Sequence, residues 1–279
     1  MSRANRSIST WAQQYDGHAC GPIRTDRLDE YAQFLSALVS RYKDPPYNIK
    51  YWELGNEPDG PLVYSRSMWG CWGRTNDPYY GGRYYGEMLK AAYPAIKAAD
   101  PDAIIVSAGL APLNARHDPN HLNDLDYLRA MYDAGAADHF DVLGLHTFGF
   151  GRPPEVAPNG ELCPTPRIGI RSYVPPTTPQ IDRGCQPVEG LCFRRAEQVR
   201  AIMVEYGDGD KPAWATEFGW LIRPPPCCLS RSDWYAHHWQ VVSEGQQARY
   251  LLRAYDYIET NWPWMQATFL WNLDWSRYQ

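Results

Sequence analysis

The chain has 279 residues, a net charge of −5 and no run of basic side chains, which argues against nucleic acid or an anionic membrane as its main partner. No apolar stretch is long enough to cross a bilayer, and the opening Met1–Ser7 lacks the apolar core of a signal peptide. This length suits one domain with a large core, and we expect a single domain over 1–279.

Aromatic residues skew toward rings with a polar edge, 12 Trp and 20 Tyr against 7 Phe. That bias suits a wet, ring-lined groove of the kind that stacks sugar faces, although ordinary packing uses most such rings. The 24 prolines gather in loops and imply long, stiffened connections. The seven cysteines fall in segments read as loops without zinc-type pairing. They fit disulfides in an oxidising compartment, with the odd count leaving at least one unpaired; free or buried thiols are the other reading.

Residues Ile8 to Trp11 begin the readable elements as a strand tail. From Thr25 to about Lys43, Leu28, Tyr31, Leu35, Leu38 and Tyr42 recur at helical spacing until Pro45-Pro46. A buried strand follows from Tyr51 to Glu57 and ends abruptly in Asn56-Glu57-Pro58. Further along come a helix over about Tyr79–Ala99, a strand over Ala103–Gly109, a helix over Asn123–Ala134 and a strand over Phe140–His146. An irregular, proline-rich stretch reaches from Thr147 to about Cys192, a length that in a compact domain is usually functional or mobile. A helix over Phe193–Tyr206, a strand ending at Glu217, a helix over Gly245–Thr260 and a strand over Gln266–Asn272 complete the order.

Strands and helices alternate throughout, which implies a parallel sheet covered by helices. Informative residues sit at strand ends and long loops follow strands. That asymmetry matches the α/β class in its TIM (β/α)8 barrel form, where chemistry gathers at the C-terminal mouth. A doubly wound sheet shares the alternation, but no Gly-rich phosphate loop follows any strand.

Two strand ends carry the chemistry. Trp52-Glu53-Leu54-Gly55-Asn56-Glu57-Pro58 places a carboxylate on a backbone stiffened by proline. If strand alternation continues through Tyr51, Glu53, Gly55 and Glu57, the last points inward. Taken alone, the motif also fits a capped strand with a solvated Glu. Glu53 reads as a buried, hydrogen-bonded support below Glu57 and not as a third catalytic acid. Downstream, Ala215-Thr216-Glu217-Phe218-Gly219 has the same form.

The first motif resembles the fourth-strand motif of clan A glycoside hydrolases and the second their seventh-strand motif, with families 39 and 5 the most similar. The resemblance runs from about Ile8 to the last strand. It implies a retaining hydrolase of β-linked glycans, with Glu57 as general acid/base and Glu217 as nucleophile. Asn56 would hydrogen-bond the sugar 2-hydroxyl, His146 would hold the nucleophile's side, and Trp271 would floor the sugar site. The tyrosine common two residues after that histidine is replaced here by Phe148. Trp69, Trp72, Trp220, Trp234 and Trp239 all follow strands and could stack outer sugar rings, and His237-His238 reads as loop surface or substrate rim.

Counting back from Glu57 leaves Ile8–Trp11 as a third strand and nothing for the first two, so the expected barrel is incomplete, lacking strands 1 and 2 and the last helix. Carbohydrate is the expected partner, in an extracellular or periplasmic setting, with roles in carbohydrate metabolism and polysaccharide degradation. No cofactor and no metal are expected: His117 and His121 are four apart, but Pro119 between them breaks the helical face a metal pair needs. Two other readings stand beside the enzyme: a non-catalytic glycan-binding relative of the same fold, and a metal-dependent barrel hydrolase.

Overall fold

The computed structural model describes residues 23–59, 81–112, 124–158, 191–223 and 240–271, with two-residue strand pieces at 69–70, 73–74, 161–162 and 186–187. Helix α1 (Leu28–Tyr42) buries Leu35 and Val39, one turn apart, and ends just ahead of Pro45-Pro46. Helix α2 (Gly82–Ala99) buries Tyr85, Met88, Leu89, Ala92 and Ile96 along one stripe. The next helices are α3 (Asp124–Asp133) and α4 (Arg195–Glu205). Helix α5 (Glu244–Asn261) starts at a reciprocal cap between Ser243 and Gln246. The buried pair Arg195–Asp124 ties α4 to α3, with Arg195 Nε donating to Asp124 Oδ2 at 2.9 Å.

Five parallel strands alternate with these helices: β1 (Tyr51–Leu54), β2 (Ile104–Ser107), β3 (Leu143–Phe148), β4 (Ala213–Gly219) and β5 (Met265–Leu270). β1 pairs with β2, and β4 pairs with both β3 and β5. Single bridges Val106–Val142 and Leu110–Leu145 join β2 to β3. Strand order in space therefore follows chain order without the reversal of a doubly wound sheet. The Tyr51 and Trp214 rings, from non-neighbouring β1 and β4, lie 5.1 Å apart, and Trp214 meets Phe269 of β5 at 5.9 Å. The sheet thus curls, and its concave face forms a cleft lined by Tyr51, Glu53, Val106, Trp214, Thr216 and Phe269.

The main core fills the other face, where Tyr85, Leu89, Leu128, Phe140 and Phe193 are fully buried among the helices. Tyr85 ties α2 to the sheet: its hydroxyl donates to the Leu54 carbonyl at 2.8 Å and accepts from the Ala108 N–H at 2.6 Å.

The described strands form an open arc, not a closed barrel. Its outer strands expose large apolar groups, Tyr51 at one flank and Phe269, Leu270 and Trp271 at the other. The expected strand Ile8–Trp11 lies outside the described residues. No helix among them is long and apolar enough to cross a membrane.

Candidate active site

β1 stops at Leu54, earlier than strand alternation through Glu57 requires. Gly55 takes φ +110° and Glu57 φ +43°, so a turn, not a pleat, aims the carboxylate. A glutamate in the left-handed region costs on the order of 1 kcal/mol. The turn is held on both sides of Pro58. The Glu57 N–H donates to the Gly109 carbonyl at 3.0 Å, and buried Asp59 accepts from the Ala111 N–H at 2.9 Å. Asn56 is exposed beside Glu57. Glu53 accepts from the Gly109 N–H at 3.2 Å. It is hydrogen-bonded but exposed, where a position below Glu57 suggested a buried support.

Glu217 reaches the same place through an irregularity in β4. Leu145 pairs with Ala215, yet the next residue, His146, pairs with Glu217. Thr216 is therefore an extra residue on β4. The β5 side agrees: Ala215 pairs with Thr268 and Phe218 with Leu270, three residues against two. A bulge of this kind lets successive side chains share one face. Thr216 lines the concave cleft, and Glu217, which regular alternation would turn away, approaches His146.

The three chemical groups converge. One donor atom from each of Glu57, His146 and Glu217 lies within 4.8 Å of the others. His146 Nδ1 is 2.9 Å from Glu57 Oε1, a hydrogen bond, and 3.7 Å from Glu217 Oε2, which is too long for one. The imidazole thus holds Glu57, whereas the family resemblance put it on the Glu217 side. The His146 side chain is fully buried, Glu217 is 17% exposed and Glu57 36%. Burial raises the Glu217 carboxyl above the ordinary carboxylate range; the nearby His146 lowers it, and Glu57 and Glu53 add to the rise. The raised carboxyl is thus that of Glu217, the group expected to be the charged member of the pair. Of two carboxyl groups this close, one that is protonated can serve as an acid and one that is ionised as a nucleophile or base. Two carboxylates and an imidazole at this spacing could also meet a single divalent cation.

Trp271 follows β5 directly, 47% exposed, with its N–H donating to the Phe218 carbonyl at 2.9 Å. It stands at the mouth beside the Glu217 strand. Trp220, a candidate for stacking outer sugars, is instead buried, and its Nε1 donates to the Arg152 carbonyl at 2.6 Å. Phe148 packs edge-on against His146, with ring centroids 6.0 Å apart. Cys192 is a buried free thiol; the other six cysteines, His117, His121, His237 and His238 lie outside the described residues, as do Trp72, Trp234 and Trp239. Thr216 and Gly109 were not singled out from the sequence. A Cβ on Gly109 would stand 2.3 Å from His146 Cδ2 and 2.4 Å from both His146 Nε2 and Thr216 Oγ1, so only glycine leaves the imidazole its place.

No family model matches the sequence, and no curated protein matches it. Solved structures do resemble the fold. A glucosidase from Croceicoccus marinus superposes at a TM-score of 0.52 with 18% identity, over 91% of this chain and 40% of that one. An alpha-L-arabinofuranosidase from Thermotoga maritima gives 0.49 and 14% identity, over 90% of this chain and 42% of that one. A family 39 glycoside hydrolase from the gut symbiont Bacteroides cellulosilyticus WH2 gives 0.47 and 20% identity, over 89% and 38%. The chain spans about 40% of the length of the first of these. At these identities the likeness is one of fold alone, the fold seen in the Croceicoccus marinus glucosidase.

Proposed function

We propose that the chain carries the catalytic face of a retaining glycoside hydrolase acting on β-linked glycans. The observation that supports this most is the approach of the Glu57 and Glu217 carboxylates to within 4.8 Å. Retaining enzymes hold their pair at about 5–5.5 Å, and inverting ones at about 6.5–9.5 Å to seat a water. Glu217, as carboxylate, attacks the anomeric carbon while Glu57 gives its proton to the departing glycosidic oxygen. The product is a glycosyl ester on Glu217 and a free alcohol. Glu57, now ionised, takes a proton from water, whose oxygen displaces Glu217 and restores both groups.

Asn56, exposed at the turn, is placed in this reading to meet the sugar 2-hydroxyl, and Trp271 to take a ring face. The five-stranded arc is read as part of an eight-stranded barrel. The exposed apolar side chains on both flanking strands support this, since unpaired flat edges are seldom left open. Glycan breakdown outside the cytoplasm is the proposed setting.

Glu217→Gln should abolish hydrolysis of chromogenic β-glycosides and leave sugar binding measurable by calorimetry. Wild-type turnover in that variant would refute the assignment. Binding by the unmodified protein without hydrolysis on any glycoside would favour a glycan-binding role instead. Activity lost on adding a chelator would favour a metal-dependent hydrolase.

A further inference from the structure

The carboxylate pair has an imidazole beside it and no strong counter-charge. Glu57 and Glu217 each lie against His146, and neither is paired with a lysine or arginine among the described residues. Glu53 adds a third acidic group, bonded to the Gly109 N–H. One imidazole offsets at most one of these charges, so the cluster favours a cation.

The spacing says which cation. His146 Nδ1 stands 2.9 Å from Glu57 Oε1 and 3.7 Å from Glu217 Oε2. Zinc binds imidazole nitrogen and carboxylate oxygen at about 2.0–2.2 Å, which puts two tetrahedral ligands about 3.3–3.6 Å apart. The two observed distances bracket that span. All three donor atoms lie within 4.8 Å of one another, so a side-chain swing of roughly 1 Å closes them around one ion. Calcium and magnesium match less well, since they take shells of about six to eight oxygens, water included. An imidazole with carboxylates suits zinc and its transition-metal neighbours.

The three groups are also held ready. His146 is fully buried and backed by Gly109, where an added Cβ would strike the ring. Both carboxylates are partly exposed, so an ion can enter from the cleft side. The Glu57 N–H bond to the Gly109 carbonyl and the bulge in β4 fix the two backbones, so binding orders little that is loose.

We propose that Glu57, His146 and Glu217 form an inhibitory site for one divalent ion of the zinc class, which binds in place of the sugar. Three protein ligands leave a fourth position to water. An ion on Glu217 occupies the lone pair that would attack, and on Glu57 it replaces the proton that would be given away. Metal is here an inhibitor and not a cofactor. Binding follows from the geometry alone, whereas inhibition rests on the glycosidase reading.

The test uses the full chain, stripped with a chelator and dialysed, with cobalt(II), zinc and magnesium chlorides as probes. One equivalent of cobalt should bind with the visible absorption of a four-coordinate ion and no thiolate charge-transfer band, which separates this site from the seven cysteines. His146→Gln and Glu217→Gln should each weaken that binding at least about tenfold, and equimolar magnesium should not displace the ion. Zinc should raise KM for a chromogenic β-glycoside with kcat unchanged, and a chelator should restore the original rate. A wild-type chain lacking that cobalt spectrum overturns the proposal, whatever the variants do. So does binding that both variants keep, displacement by magnesium, or turnover that zinc either supports or leaves unchanged. If the ion binds as expected but the stripped chain cleaves no glycoside, the metal site stands and the hydrolase reading fails.

Discussion

His146 and Glu217 stand opposite each other on neighbouring strands only because β4 carries one residue more than β3 between the Leu145–Ala215 pair and their own. Without that extra residue, His146 would face Thr216, and Glu217 would be turned to the opposite face. The bulge, the turn at Glu57 and the missing side chain at Gly109 are three backbone irregularities that together build one site.

Gly109→Ala is the sharpest probe of this construction. The added methyl would press on the His146 ring and on Thr216 Oγ1, and both belong to strands that cannot move without disturbing the sheet. We expect the His146–Glu57 hydrogen bond to be lost, activity to fall at least tenfold, and stability to drop by about 1–3 kcal/mol, the usual cost of overpacking. Steady-state kinetics and urea unfolding of the variant check both effects.

Tyr85→Phe tests the link between helix and sheet. The hydroxyl serves the Leu54 carbonyl and the Ala108 N–H, which flank the two strand ends that carry Glu57 and Gly109. Removing it strands two buried backbone groups, for which about 1–3 kcal/mol is expected. The loss should appear in the denaturation midpoint with an unchanged slope.

Glu217 sets the expected response to pH. Its folded pKa is raised by burial, so the carboxyl favours folding when protonated, and that contribution is lost as pH rises through the raised value. Glu217→Gln, permanently neutral, should therefore melt above the wild type near neutral pH, with the gap closing as pH falls below the ordinary glutamate range. In its proposed role as nucleophile Glu217 has to be ionised, so kcat/KM should fall on the acid side through a pKa above that range. A melting gap that instead widened toward acid would contradict the burial argument.

Much of this was legible in the letters. Apolar spacing gives α1 and α2 within a few residues, and Pro45-Pro46 and Pro101 mark where they stop. The two Glu-ending strands are readable because each is a short apolar run that breaks on a carboxylate. Their meeting in space follows from parallel alternation, which brings all strand ends to one rim. Other features were hidden for physical reasons. Strand alternation has a period of two, and a bulge or a left-handed turn breaks it without leaving a required letter, so the routes by which Glu57 and Glu217 reach the cleft could not be read. From its letters Trp220 is a rim residue, because it follows the strand that ends on Glu217. The Arg152-to-Trp220 contact that buries it joins segments far apart in sequence: the Arg152 carbonyl takes its N–H.

The central claim is a covalent one, that Glu217 forms the bond to sugar while Glu57 moves the proton. Incubation with an activated 2-deoxy-2-fluoro-β-glycoside, which slows release of the glycosyl-enzyme, followed by peptide mass spectrometry, tests it directly. The account predicts one added glycosyl mass on the peptide holding Glu217 and none on that holding Glu57. A label on Glu57, or turnover of β-glycosides with inverted anomeric configuration and no label at all, would contradict it.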